Sequence, residues 1–173
     1  MPMLHLLRHA KSSWKDDVDD HERKLSRRGR EDARRVGRHL PTAIGVLDLV
    51  LSSSAVRTRE TVDLVLAEFP ARPRTLIEDE LYLASRDRLI DRLRRLAEAD
   101  DNVLLVGHDP GIHEFAITLA EPDTRRARAL ASGKFPTAAR ASFRIAAPWS
   151  TLGLSRHELV DYVTADSLSG GKG

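Results

Sequence analysis

The stretch Val103-Leu104-Leu105-Val106-Gly107-His108-Asp109-Pro110-Gly111-Ile112 carries the reading of the fold. Four apolar residues in a row are too few for a helix and too continuous for a half-exposed strand. They predict a strand buried on both faces. Asp109 and Pro110 then read as a helix N-cap followed by proline at the first helical position, with Ile112, Phe115, Ala116 and Leu119 on the inward face. The same alternation recurs upstream. Met3 to Leu7 is a short apolar run, read as a buried strand. Ser26 caps a helix through Leu40, with Ala33, Val36, Gly37 and Leu40 on one face and Pro41 as its stop. Val46 to Leu51 predicts a second strand, and Ser54 opens a helix carrying Val62, Val65, Leu66 and Phe69. Thr75 to Ile77 predicts a short strand, and Ser85 caps a helix with Leu89, Leu93, Leu96 and Ala97 at helical spacing. Beyond Glu121, Ala141 to Ala146 and Leu159 to Val163 read as late strands.

Apolar strands joined by helices define an α/β protein, expected as a three-layer α/β/α sandwich around a mostly parallel sheet. The chain has 173 residues, 41% of them apolar, which suits one ordinary domain with its own core. No repeat or linker divides it. We expect a single domain over 1–166 and a flexible tail over 167–173, whose glycine, serine and lysine read as a frayed end.

Composition excludes several classes. The chain has no cysteine, so a disulfide framework, thiolate zinc, an iron–sulfur cluster and a cysteine nucleophile are all out. Net charge is +2, although 23 of the 28 basic residues are arginines. That balance argues against a nucleic-acid binder. The run Arg27, Arg28, Arg30, Arg34, Arg35 and Arg38 is interleaved with Glu31 and Asp32 and reads as a solvated helix face. No apolar run is long enough for a membrane span. A cytoplasmic monomer without membrane or nucleic-acid partners is the expectation.

Ligands of open α/β sheets sit outside the carboxyl ends of the strands. After the first strand comes Arg8-His9. After the second come Ser52-Ser53-Ser54 and Arg57. After the strand Val103–Val106 come Gly107-His108-Asp109. Three strands thus deliver cationic and imidazole groups to one edge, and the helices opening there add free N–H groups. An anion, above all a phosphoryl group, is the common target. A metal site on His5, His9, His108 and His113 is disfavoured, since His108 and His113 are five apart and do not share a helix face.

These residues also resemble a known family. Leu6-Leu7-Arg8-His9-Ala10-Lys11-Ser12-Ser13-Trp14 is similar to the opening signature of the histidine phosphatase (phosphoglycerate mutase-like) superfamily. Ser53 through Thr61, with Arg57 between them, resembles its second signature. Val106 through Gly111 resembles its late histidine block. The size and the Arg-His-Ala-Lys-Ser start are most similar to the SixA-type phosphohistidine phosphatase branch. Two departures stand out: Ala10 replaces a usual glycine, and Lys15 stands where mutases often carry asparagine.

The resemblance implies a phosphoglycerate mutase-like fold and a metal-free, cofactor-free phosphatase. His9 would be the nucleophile, carrying a phosphohistidine intermediate. Arg8 and Arg57 would clamp the phosphoryl oxygens, with His108 as a further donor in its imidazolium form. Ser12, Lys15, Arg23 and Asp109 would assist binding. Glu80, in Glu80-Leu81-Tyr82, is favoured as general acid over Asp109, which reads first as a helix cap. The expected substrate is a phosphorylated protein, with phosphohistidine foremost. A small phosphorylated molecule, or a non-catalytic phosphate-binding module, is the alternative.

Overall fold

The computed structural model describes residues 1–169. Six strands, β1 (Met3–Arg8), β2 (Leu49–Ser53), β3 (Thr75–Glu78), β4 (Asn102–Gly107), β5 (Arg140–Arg144) and β6 (Glu158–Val163), form one sheet in the order β3-β2-β4-β1-β5-β6. β3, β2, β4 and β1 run parallel, while β5 and β6 add an antiparallel edge. The mostly parallel sheet follows the sequence reading.

Alternation along β1 explains the two outer layers. Leu4 and Leu6 join a core with Leu105 of β4, Phe143 of β5, Leu89 and Leu93 of α3 (Arg86–Arg94), Phe115 of α4 (Gly111–Leu119) and Leu130 of α5 (Arg125–Ser132). Leu7 faces the other way. It packs with Leu104 and Val106, with Val36 and Leu40 of α1 (Arg27–Ile44), with Val62 and Val65 of α2 (Val56–Leu66), and with Ala165 of α6 (Ala165–Leu168). Each fully buried leucine contributes about 2 kcal/mol of transfer energy, so two cores hold the sheet edge rigid beneath the loops.

Several expected boundaries move. Helix α1 runs through Pro41 to Ile44 and stops at Gly45, whose φ of 69° suits a residue without Cβ. Pro41 sits close to the helix end, where its missing N–H interrupts only the last turn. Val46 is therefore outside β2 and 85% exposed. Ser54 does not cap α2; Ala55 stands there, and Ser53 Oγ accepts from the Ala55 N–H. Asp109 is not a cap either, because α4 begins only at Gly111 with Pro110 before it. Phe69 lies past α2, and Leu96 and Ala97 lie past α3. Helix α5, absent from the sequence reading, starts at the side-chain cap of Thr124.

The expected tail also begins inside structure. Thr164 and Ser167 cap α6 reciprocally, and Leu168 packs on the core. Residues 170–173 lie outside the described residues.

One close approach ties α1 to the loop after β1. A Cβ on Gly29 would sit 2.0 Å from the Lys11 carbonyl oxygen. That carbonyl accepts the Ser26 N–H, so neither side can retreat cheaply. We expect Gly29→Ala to cost about 2 kcal/mol by overpacking, read as a lowered midpoint in denaturant unfolding. An unchanged midpoint would show that the loop gives way.

Candidate active site

β1, β2 and β4 end side by side, and their next residues meet in an open cleft of about 330 Å³. Arg8, His9, Lys11, Ser12, Arg23, Arg57, His108 and Asp109 line it. The rings of His9 and His108 lie 5.3 Å apart, edge to face.

His9 has one nitrogen committed. Its Nδ1 lies 2.7 Å from the Ala10 carbonyl oxygen, which can only accept, so Nδ1 carries the proton. Nε2 keeps its lone pair and accepts from Arg57 Nε at 3.3 Å. Thr61 of α2 holds this turn in place: its Oγ1 accepts from the Ala10 N–H and donates to the Arg57 carbonyl. Burial pushes the His9 pKa down to about 4, and Arg57, Arg8 and Arg23 push the same way.

His108 is fixed by Ser53. Its Nδ1 accepts from Arg57 Nη2 at 3.4 Å, which leaves Nε2 to donate to Ser53 Oγ at 2.7 Å. Burial, then His9 and Arg57, lower its pKa to about 3. The expected imidazolium is thus a neutral ring, because burial, then His9, Arg57 and Arg8, oppose its charge.

Arg57 is 2% exposed and Arg23 is 8% exposed. Arg23 Nη1 donates to Ser12 Oγ at 2.6 Å, and its guanidinium sits 3.5 Å from the centre of the Trp14 ring. Arg8 Nη1 donates to the Phe135 carbonyl at 2.8 Å, while its buried Nε has no partner. Asp109 Oδ1 is likewise buried and unpartnered, and its charge offsets part of the cost of burying Arg8.

Two expected residues are elsewhere. Glu80 is turned outward, 2.8 Å from Arg95 and 3.5 Å from Arg92. The 3-10 turn Asp79–Leu81 points it away, and the same turn brings Tyr82 inward, 5.5 Å from His108 ring to ring. Lys15 is exposed beside Asp16 and Arg27, and Lys11 stands at the cleft instead. Asp20, Ser53 and Tyr82 escape the sequence reading as site residues. Asp20 is one of four aspartates between positions 16 and 20, with nothing in the string to single it out.

Paired imidazoles under buried guanidinium groups, at the carboxyl edge of a parallel sheet, define a phosphoryl-handling α/β protein. A profile described as the histidine phosphatase superfamily (branch 1) matches residues 4–82. An uncharacterized protein of Mycobacterium leprae is 34% identical over 161 residues, covering 90% of this chain and 98% of that one. A solved structure from Nakamurella multipartitia, described as a candidate phosphohistidine phosphatase SixA, superposes with a TM-score of 0.81 at 27% identity, covering 94% of this chain and 95% of that one. A second SixA candidate, from Agrobacterium tumefaciens, gives a TM-score of 0.80 at 25% identity, over 94% and 97% of the two chains. The chain belongs to the histidine phosphatase superfamily, on its SixA-type branch, and is a phosphatase. Among the described residues, no helix is long and apolar enough to cross a membrane.

The lowered histidine pKa values carry a stability consequence. Unfolded histidines protonate near 6.5, whereas buried His5, His9 and His108 resist protonation down to about 4 or 3. Between those limits the unfolded chain binds more protons, so stability falls as the pH drops. We expect the Tm of the ligand-free protein to fall steadily from pH 6.5 to about 4, and less steeply in a His9→Asn, His108→Asn variant. Equal slopes would mean that these rings are not held neutral.

Proposed function

We propose that the protein hydrolyses phosphohistidine on a protein partner, in two steps and without a metal ion. The observation that supports this most is the unprotonated His9 Nε2, set by the Ala10 carbonyl on Nδ1 and held by a 3.3 Å hydrogen bond from Arg57 Nε. A neutral imidazole in that orientation is a nucleophile at pH 7. It attacks phosphorus, the bond from phosphorus to the substrate imidazole breaks, and the leaving nitrogen takes a proton. Water then attacks the phosphorus on His9, the bond to Nε2 breaks, and inorganic phosphate leaves.

Arg8, Arg23 and Arg57 supply the positive charge for which other phosphatases use a metal. The unpartnered Arg8 Nε is a donor waiting for an oxygen. Asp109, rather than Glu80, is the proton carrier in this reading, because its buried Oδ1 is free and it lines the cleft with His9. A protein-borne substrate suits an open rim, where Trp14 is 78% exposed and Leu83 55% exposed. The SixA descriptions of two structural neighbours agree with that choice.

Replacing His9 with alanine is expected to lower turnover of phosphohistidine protein by roughly 1,000-fold or more while leaving the Tm near that of the native protein. Substantial turnover in a folded His9→Ala variant would falsify the nucleophile. A comparison of kcat/KM across phosphohistidine protein, sugar phosphates and nucleotides tests the substrate class; a small ester preferred over the protein decides for the phosphomonoesterase alternative.

The proton carrier has its own test. Asp109→Asn is expected to slow an alkyl phosphate by about 100-fold, the usual size of a general-acid contribution. Phosphohistidine, whose imidazole leaves readily, should slow much less. Glu80→Gln is expected to leave both rates alone, because its ion pairs with Arg95 and Arg92 lie outside the cleft. The reverse pattern would return the role to Glu80.

A further inference from the structure

Asp20 is an acidic residue inside a site built for anions. Its carboxylate has three donors on it: Arg57 Nη2 at 3.0 Å and Tyr82 Oη at 2.5 Å on Oδ2, and Arg23 Nε at 3.1 Å on Oδ1. Its main-chain carbonyl takes a fourth, Arg57 Nη1 at 2.7 Å. The hydrogen bonds from Tyr82, Arg57 and Arg23 outweigh the burial that would raise its pKa, and hold the carboxyl well below the usual carboxylate range.

A guanidinium has two hydrogen-bonding edges, one formed by its two Nη groups and one by Nε with Nη2. Asp20 occupies the first edge of Arg57 with two oxygens, one from its main chain and one from its side chain. The second edge then faces His9 Nε2 and His108 Nδ1, at 3.3 Å and 3.4 Å. A phosphoryl group on His9 Nε2 would meet that second edge. Asp20 also holds Arg23, whose Nη1 reaches Ser12, and Tyr82, whose ring leans on His108.

We infer that Asp20 is the positioning residue of the site, turning the Nε–Nη2 edge of Arg57 onto the phosphoryl group. The inference rests on the reading of His9 as the phosphoryl acceptor. The rival role is a resident anion that occupies the arginines and competes with substrate. The two differ in sign. Misplacing a clamp by an ångström costs about 100-fold in rate, whereas removing a competitor tightens anion binding.

The test uses the full chain, an aryl phosphate as substrate and vanadate as the binding probe. Asp20→Ala is expected to lower kcat by about 100-fold, with KM changed far less, and to weaken vanadate binding. Asp20→Asn, which keeps an oxygen acceptor for Arg57, should recover most of kcat. In an Arg57→Ala background, Asp20→Ala should cost little further in either measurement, because the group it aims is gone. Native or faster turnover with tighter vanadate binding would make Asp20 the competitor and overturn the inference. A loss undiminished by Arg57→Ala, or no rescue by asparagine, would overturn it too. If His9→Ala keeps its turnover, the nucleophile reading fails on that ground alone, while vanadate binding still reports on Asp20 and Arg57.

Discussion

A buried neutral imidazole is basic only through the nitrogen that keeps its lone pair, and for His9 the Ala10 carbonyl decides which one that is. With Nδ1 bound to that carbonyl, Nε2 is the basic nitrogen of the ring, and it accepts from Arg57 Nε. The carbonyl itself is placed by helix α2, since Thr61 binds the Ala10 N–H while reaching back to the carbonyl of Arg57 in its own helix. One threonine therefore ties the His9–Ala10 turn to the helix that carries Arg57. The docking of α2 rests in turn on Val62 and Val65 against the sheet. Packing on that face and chemistry at the sheet edge share one set of contacts.

Charge burial is the second constraint. Arg8, Arg23 and Arg57 crowd one cleft, which is costly unless their donors are used. The protein spends backbone carbonyls on them: Phe135 on Arg8, Ser13 on Arg23 and Asp20 on Arg57. A carbonyl fixes a guanidinium without cancelling its charge, and the carboxylates of Asp20 and Asp109 are outnumbered in the cleft by Arg8, Lys11, Arg23 and Arg57. The same surroundings keep both histidines neutral, with His9 lowered to about 4 and His108 to about 3.

The layout of the fold was readable because four of its strands are apolar or nearly so and amphipathic helices with inward apolar faces lie between them, even though the caps named at Ser54 and Asp109 were wrong. Arg8, His9, Arg57 and His108 were readable for the same reason, as the first polar residues past three strand ends. Glu80 was misplaced because a single 3-10 turn decides whether it or Tyr82 points inward, and residue identity does not encode that rotation. Asp109 looked like a cap because Asp-Pro before an apolar run is a capping pattern, yet the helix starts two residues later. Asp20 was invisible because its role depends on where Arg57 lies, and that is set by a helix far along the chain.

The central position of β1 has a kinetic side. Met3 pairs with Asn102 on one side and with Arg144 on the other. The strand that ends at Arg8 and His9 can therefore complete neither ladder until much of the chain has collapsed around it. Such distant pairings slow folding, because loop closure must precede any gain from contact. On the other face, α1 and α2 are neighbours in sequence and can dock early. The cleft at the strand ends is thus expected to assemble late, and a chain stalled before β5 joins β1 would carry the Arg-His signature without the Phe135 carbonyl that seats Arg8.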